Sequence, residues 1–212
     1  MQILHRTLGC LQQYLRDIKE SSAADRYRPD RCPLCQARCC FLAHGFYHRT
    51  IVHVEFDGSI PVRRYLCRLC RRTVSRLPDF VLPYLRHSIV VIRLFLVSRL
   101  LAARSLREAA HFQPGMPYQR GQFWVRRFRK QAAGLGAALS SVTAVLTAPD
   151  FVTRALQMLE AMGWIAAHRF LFGELRIHLL GWPHFLIPSG GPISFPSAAA
   201  VASRKHTAFA WT

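Results

Sequence analysis

Two Cys-x-x-Cys pairs, Cys32-Pro33-Leu34-Cys35 and Cys67-Arg68-Leu69-Cys70, constrain this chain more than any other feature. Each pair is a tight turn that can present two thiolates to one ion, and 31 residues separate Cys35 from Cys67. Two such turns complete a tetrahedral four-sulfur site of the structural zinc-ribbon kind. A single pair would suit a redox turn equally well. The repeat points to structural Zn2+ held by Cys32, Cys35, Cys67 and Cys70. The competing reading is two buried or disulfide-linked dithiols. Cys39, Cys40 and His44 stand close enough in sequence to replace one ligand, and spacing alone leaves that open.

The residues between the pairs must carry the second turn back to the first. Residues 51–56 alternate and are β-branched, which predicts a strand. Asp57-Gly58 is a hairpin-turn signal, and residues 60–66 return as the next strand. Such a module has too little core of its own, so the metal would substitute for one, contributing roughly 10–16 kcal/mol.

Elsewhere the periodicity predicts helices. Leu4, Leu8, Leu11, Leu15 and Ile18 mark one apolar face over residues 3–19. Residues 87–103 are apolar on most sides, as in a central helix of a bundle. Ser105-Leu106-Arg107-Glu108 is a capping box that opens a short helix. Pro117 suits the first position of a helix running to Ala133. On it Gly121, Trp124 and Phe128 share the core face, while Gln119, Gln122, Arg126 and Lys130 point elsewhere. Residues 134–148 extend that helix or form another, Asp150 caps a helix over 151–161, and 166–180 forms a last one. The expected class is mainly α with a small β zinc ribbon. The order is an N-terminal helix (1–29), a four-Cys zinc ribbon (30–84), a helix-turn-helix (85–133), a C-terminal helical region (134–187) and a loosely ordered tail (188–212).

Charge narrows the partner. Lys plus Arg number 29 against 11 acids, a net +18, and the only lysines are Lys19, Lys130 and Lys205. Arginine's flat fork of donors matches phosphate and guanine edges. Between Pro61 and Lys130 there are 16 Arg or Lys and two acids, Asp79 and Glu108. This balance points to a polyanion, DNA with RNA left open. Arg63, Arg64, Arg68, Arg71 and Arg72 are the expected phosphate contacts. Gln119, Arg120, Gln122, Arg126, Arg127 and Lys130 would line the groove-facing helix.

Cys-Pro-x-Cys at 32–35, with Arg64, Tyr65, Cys67, Cys70, Arg71 and Thr73, resembles the zinc ribbons at the front of bacterial insertion-sequence transposases and their accessory proteins. The segment 44–47 and the run 77–84 look like an uncharacterised bacterial family that joins such a ribbon to a helix-turn-helix. The resemblance covers roughly residues 30–130. It implies zinc on the four cysteines and a ribbon that contacts or orients DNA. Trp124-x-x-Arg127-Phe128 resembles the recognition helix of transposase-type helix-turn-helix domains. The chain departs from that pattern in a longer, Pro-containing turn and in Gly121, where an aliphatic residue is usual.

A catalytic role is not expected. A transposase needs three carboxylates for two metal ions. After Lys130 only Asp150, Glu160 and Glu174 remain, on helices or caps. No phosphate-binding loop, nucleophile elbow or zinc-protease motif occurs. No apolar run is both long and uncharged enough to span a membrane, and no secretory signal is recognisable. The expectation is a cytoplasmic, nucleoid-associated, non-catalytic DNA-binding factor of a transposable element. Other mobile-element proteins or a second copy would be further partners. The alternative is a zinc-stabilised assembly or RNA-binding protein, with a nuclease or transposase proper as the third reading.

Overall fold

The structure is a computed structural model that describes residues 1–7, 10–19, 26–111, 116–144 and 147–182. The expectations for Leu8, residues 20–25, most of the turn before Pro117, Leu146 and the tail 188–212 lie outside these. The chain divides into two compact units, Met1–Ser88 and a second from Ile89 onward.

The first unit is built on a four-stranded sheet. Its strands are β1 (Gln2–His5), β2 (Phe41–His53), β3 (Phe56–Cys67) and β4 (Thr73–Pro78), with one short helix α1 (Leu11–Asp17). The sheet order is β1-β4-β3-β2. β1 runs parallel to β4, and the other pairs are antiparallel. With 42% helix and 24% strand, the fold is of mixed α/β character and not mainly α.

Three features account for that correction. Residues 2–5 carry the start of a helical apolar pattern, yet they pair with Ser75–Pro78, 73 residues away. Long-range pairing overrides the local period here. The helix starts only at Leu11, burying Leu11, Tyr14 and Ile18 on one face. The first half of β2 is largely exposed and lacks alternation, but it pairs with β3 as far as Phe41↔Cys67.

The hairpin turn also lies elsewhere than expected. Val54 and Glu55 make it, with His53 opposite Phe56. Gly58 sits inside β3 instead, where a Cβ would come within 2.8 Å of the Phe56 ring. It makes room for an aromatic two residues away and does not turn the chain.

The core of this unit holds Ile51, Ile60, Val62, Val74, Leu77, Val81 and Leu82. Tyr14 joins α1 to β3 by donating from its hydroxyl to the Pro61 carbonyl at 2.6 Å, and its ring meets Phe80 edge-on at 5.7 Å. Asp79 is buried and accepts from the Thr7 backbone N–H and hydroxyl.

The second unit is helical. It contains α2 (Ile89–Leu96) with a π-helical turn at Val97–Leu101, α3 (Leu106–Ala109), α4 (Tyr118–Leu139), α5 (Phe151–Met162) and α6 (Trp164–His168), followed by a second π-helical turn at Arg169–Glu174. The caps read from sequence form as expected. Ser105 and Glu108 make both halves of a capping box, and Asp150 accepts from the N–H groups of Val152 and Thr153. Each satisfies donors that a helix start leaves orphaned.

Trp124 and Phe128 are fully buried, and Trp124 meets Phe95 edge-on at 5.3 Å. Gly121 is explained by the same ring, because a Cβ there would lie 2.7 Å from Phe95 Cζ. The last expected helix is shorter than its pattern. It breaks after Glu174, and Arg176 adopts a left-handed conformation at φ +59°. Among the described residues, no helix is long and apolar enough to cross a membrane.

Candidate metal centre

The cysteine turns are built alike. The Cys32 carbonyl accepts from the Gln36 N–H at 2.9 Å, and the Cys32 N–H donates to the Ala37 carbonyl at 2.8 Å. At the second turn the Cys67 carbonyl accepts from the Arg71 N–H at 3.0 Å, and the Cys67 N–H donates to the Arg72 carbonyl at 3.0 Å. The offsets from the leading cysteine are the same. So is the backbone at the fourth residue after it, with φ +62° at Gln36 and +57° at Arg71. Non-glycine residues rarely take such angles, and they persist where surrounding structure over-determines them.

The two turns face each other. All four sulfurs of Cys32, Cys35, Cys67 and Cys70 lie within 4.8 Å of one another. Cys32 Sγ is 3.8 Å from Cys70 Sγ, and Cys35 Sγ is 3.6 Å from Cys67 Sγ. None of these cysteines is in a disulfide. The set can therefore take a metal ion, with two sulfurs buried and two nearer solvent. β3 delivers Cys67 as its last residue, and the Arg68 N–H bonds the Cys40 carbonyl at 2.8 Å, tying the second turn to the start of β2.

Ionisation is staggered across the cluster. The Cys70 N–H, more than any other group, draws the Cys67 thiol down to about 6, with help from the Cys40 thiol. The Arg72 N–H pulls Cys70 the same way, but burial and its sulfur neighbours outweigh it and push the thiol up to about 12. The Cys70 proton must therefore leave as a cation enters.

The other candidate ligands separate. Cys40 is buried with its Sγ 3.3 Å from Cys67 Sγ, and burial first of all raises its thiol to about 11. It touches the quartet from outside, and the mutual spacing that selects the four does not include it. Cys39 is exposed, with its N–H on the Asp30 carbonyl. His44 is exposed on β2.

The expected basic residues fall into three groups. Arg68, Arg71 and Arg72 are exposed around the second turn, and Arg31 and Arg38, not singled out from sequence, are exposed beside the first. Arg63 and Arg64 are half-buried on β3. Arg63 lies 4.5 Å over the Phe46 ring, and Arg64 reaches the Thr73 hydroxyl at 3.3 Å.

On α4, Gln119, Arg120, Gln122, Arg126 and Lys130 are exposed. Arg127 is occupied within its own unit, donating to the carbonyls of Leu180, Gly181 and Trp182 at 2.5–2.7 Å. That role has no signal in the sequence, since the partners lie more than fifty residues away and are backbone atoms.

Residues 32–109 match the model of a domain of unknown function (DUF6431). The matched stretch opens on Cys32 and takes in all four sulfurs, β2 to β4, α2 and α3. No curated protein and no solved structure matches the chain.

Proposed function

We propose that the four cysteines hold a structural zinc ion and that the chain is a non-catalytic, zinc-stabilised DNA-binding protein. The observation that carries the zinc assignment is the pair of like-built turns with four sulfurs converging on one point. Four thiolates at a closed site suit zinc, which needs no redox change and leaves no open coordination position for a substrate.

The DNA reading is supported by what surrounds the centre. Arg31, Arg38, Arg68, Arg71 and Arg72 are exposed there, in a chain of net charge +18. A cluster of exposed arginines raises the local positive potential and attracts a polyanion. In the second unit, the exposed Gln119, Arg120, Gln122, Arg126 and Lys130 supply donors of the kind that reach phosphates and base edges. The accessory role in a transposable element rests on the ribbon resemblance.

Two of the three acids that would have to serve a nuclease are engaged elsewhere, which supports a non-catalytic reading. Asp150 is engaged in capping α5. Glu160 is held by Arg93 at 2.6 and 2.8 Å and accepts from Trp164 Nε1 at 2.7 Å.

The test is a salt titration of duplex binding by the zinc-loaded chain. Six to ten phosphate contacts cost about a thousandfold or more in affinity between roughly 50 and 200 mM salt. Changing Arg68, Arg71 and Arg72 together to Gln should flatten that slope. Salt-insensitive binding, or no duplex binding at low salt, would contradict the reading.

A further inference from the structure

The sheet of the first unit carries an aromatic and basic face that the metal centre does not use. β2 has an extra residue between Ala43 and Phe46, because Ala43 pairs with Tyr65 while Phe46 pairs with Arg63. Gly45, at φ +81°, absorbs this bulge. The consequence is geometric. Regular pairing continued from Ala43 would set residue 46 opposite Val62, with its ring on the other face. With it, Phe46 lies beneath the Arg63 guanidinium and still keeps 43% of its surface exposed.

Arg63 in turn stands directly opposite Arg76 on β4. Like charges facing each other across strands are destabilising. Both Nε atoms are buried without a hydrogen-bond partner. Arg76 donates one bond, to the Leu4 carbonyl at 2.9 Å. Arg63 also lies 5.9 Å from the Tyr65 ring centroid. Asp30 is the acid that bears on Arg76. An exposed ring beside converging guanidiniums is what a nucleotide with an open base face needs: a surface to stack on and cations for the adjoining phosphates. A duplex buries its base faces and cannot use the ring.

We propose that this face binds an unpaired strand of DNA, with a base stacked on Phe46 and the flanking phosphates held by Arg63 and Arg76. The inference rests on the DNA-binding reading above and extends it from duplex to displaced or single-stranded DNA. The choice of DNA over RNA comes from that reading.

The experiment measures fluorescence anisotropy of the full, zinc-loaded chain with a labelled oligothymidylate, an oligouridylate and a blunt duplex, with metal content checked for each variant. Phe46→Leu should weaken oligothymidylate binding roughly 5- to 150-fold, Phe46→Trp should restore it, and Arg63→Gln with Arg76→Gln should weaken it as well. Duplex affinity should not change with Phe46→Leu. A parallel arm needs no variant: 5-iodouracil placed in the oligothymidylate should photo-crosslink to the peptide that contains Phe46. Crosslinks confined to other peptides, or equal losses on both DNA forms, would overturn the inference. Duplex binding without oligothymidylate binding would overturn it alone, whereas binding to neither would overturn the DNA reading with it. Tighter binding to oligouridylate would overturn the assignment to DNA.

Discussion

The two units reach order by different means. In the helical unit, Trp124, Phe95 and Phe128 are fully buried, and all five helices from α2 to α6 bury side chains. In the sheet unit, the strands bury Ile51, Ile60, Val62 and Val74, but the segment from Asp30 to Cys40 has little apolar support. Cys32 and Cys40 are its buried side chains of consequence, beside the exposed Leu34 and Cys35. One region is held by area removed from water, and the other closes at one end on four converging sulfurs. Each should therefore fail under a different perturbation.

The largest expected effect is loss of the ion. Cys67→Ser, or a strong chelator, removes a contribution on the order of 10–16 kcal/mol. Strand signal in far-UV circular dichroism should fall. Trp124 and Trp164 are buried in the helical unit, so their emission should stay blue-shifted. Collapse of both signals together would break the comparison.

Next comes Trp124→Ala, which empties a fully buried site. It should cost about 3–5 kcal/mol, read by denaturant titration of tryptophan emission from the remaining indoles, with zinc content unchanged.

A third effect comes from pH. His5 is buried against Tyr14 and Tyr27, and burial foremost drops its pKa to about 4 from 6.5. Between those values the unfolded chain binds the proton and the folded chain does not. Stability therefore falls as pH drops from about 6.5 to 4, by up to about 3 kcal/mol. His5→Phe should remove that slope in the sheet unit, measured by circular dichroism across that pH range.

The smallest is Asp150→Ala, which takes the cap from α5. About 0.5–2 kcal/mol should be lost from the helical unit, visible as a lower midpoint in the same emission titration and with no change in the sheet signal.

Which parts of this were legible in the sequence follows from the range of the interactions. The cysteine quartet was readable because each half of it is a four-residue turn. The caps at Ser105 and Asp150 were readable for the same reason, and so was the burial of Trp124 and Phe128, which one helical period dictates. What escaped depends on distant partners. Gln2–His5 becomes a strand only because β4 lies beside it. The exposed first half of β2 is ordered by β3 and carries no alternation of its own. The carbonyl cluster that holds Arg127 has no side-chain signature. Gly121 and Gly58 read as a misplaced small residue and a turn, and each proves to make space for a phenylalanine ring.

The central claim is that one ion joins the two cysteine turns, and zinc-edge X-ray absorption on the purified chain, with metal content measured alongside, tests it most directly. The account predicts one zinc per chain in a shell of four sulfurs at about 2.3 Å. A folded sheet unit with no metal, or a shell containing nitrogen or oxygen in place of one of the four sulfurs, would contradict it.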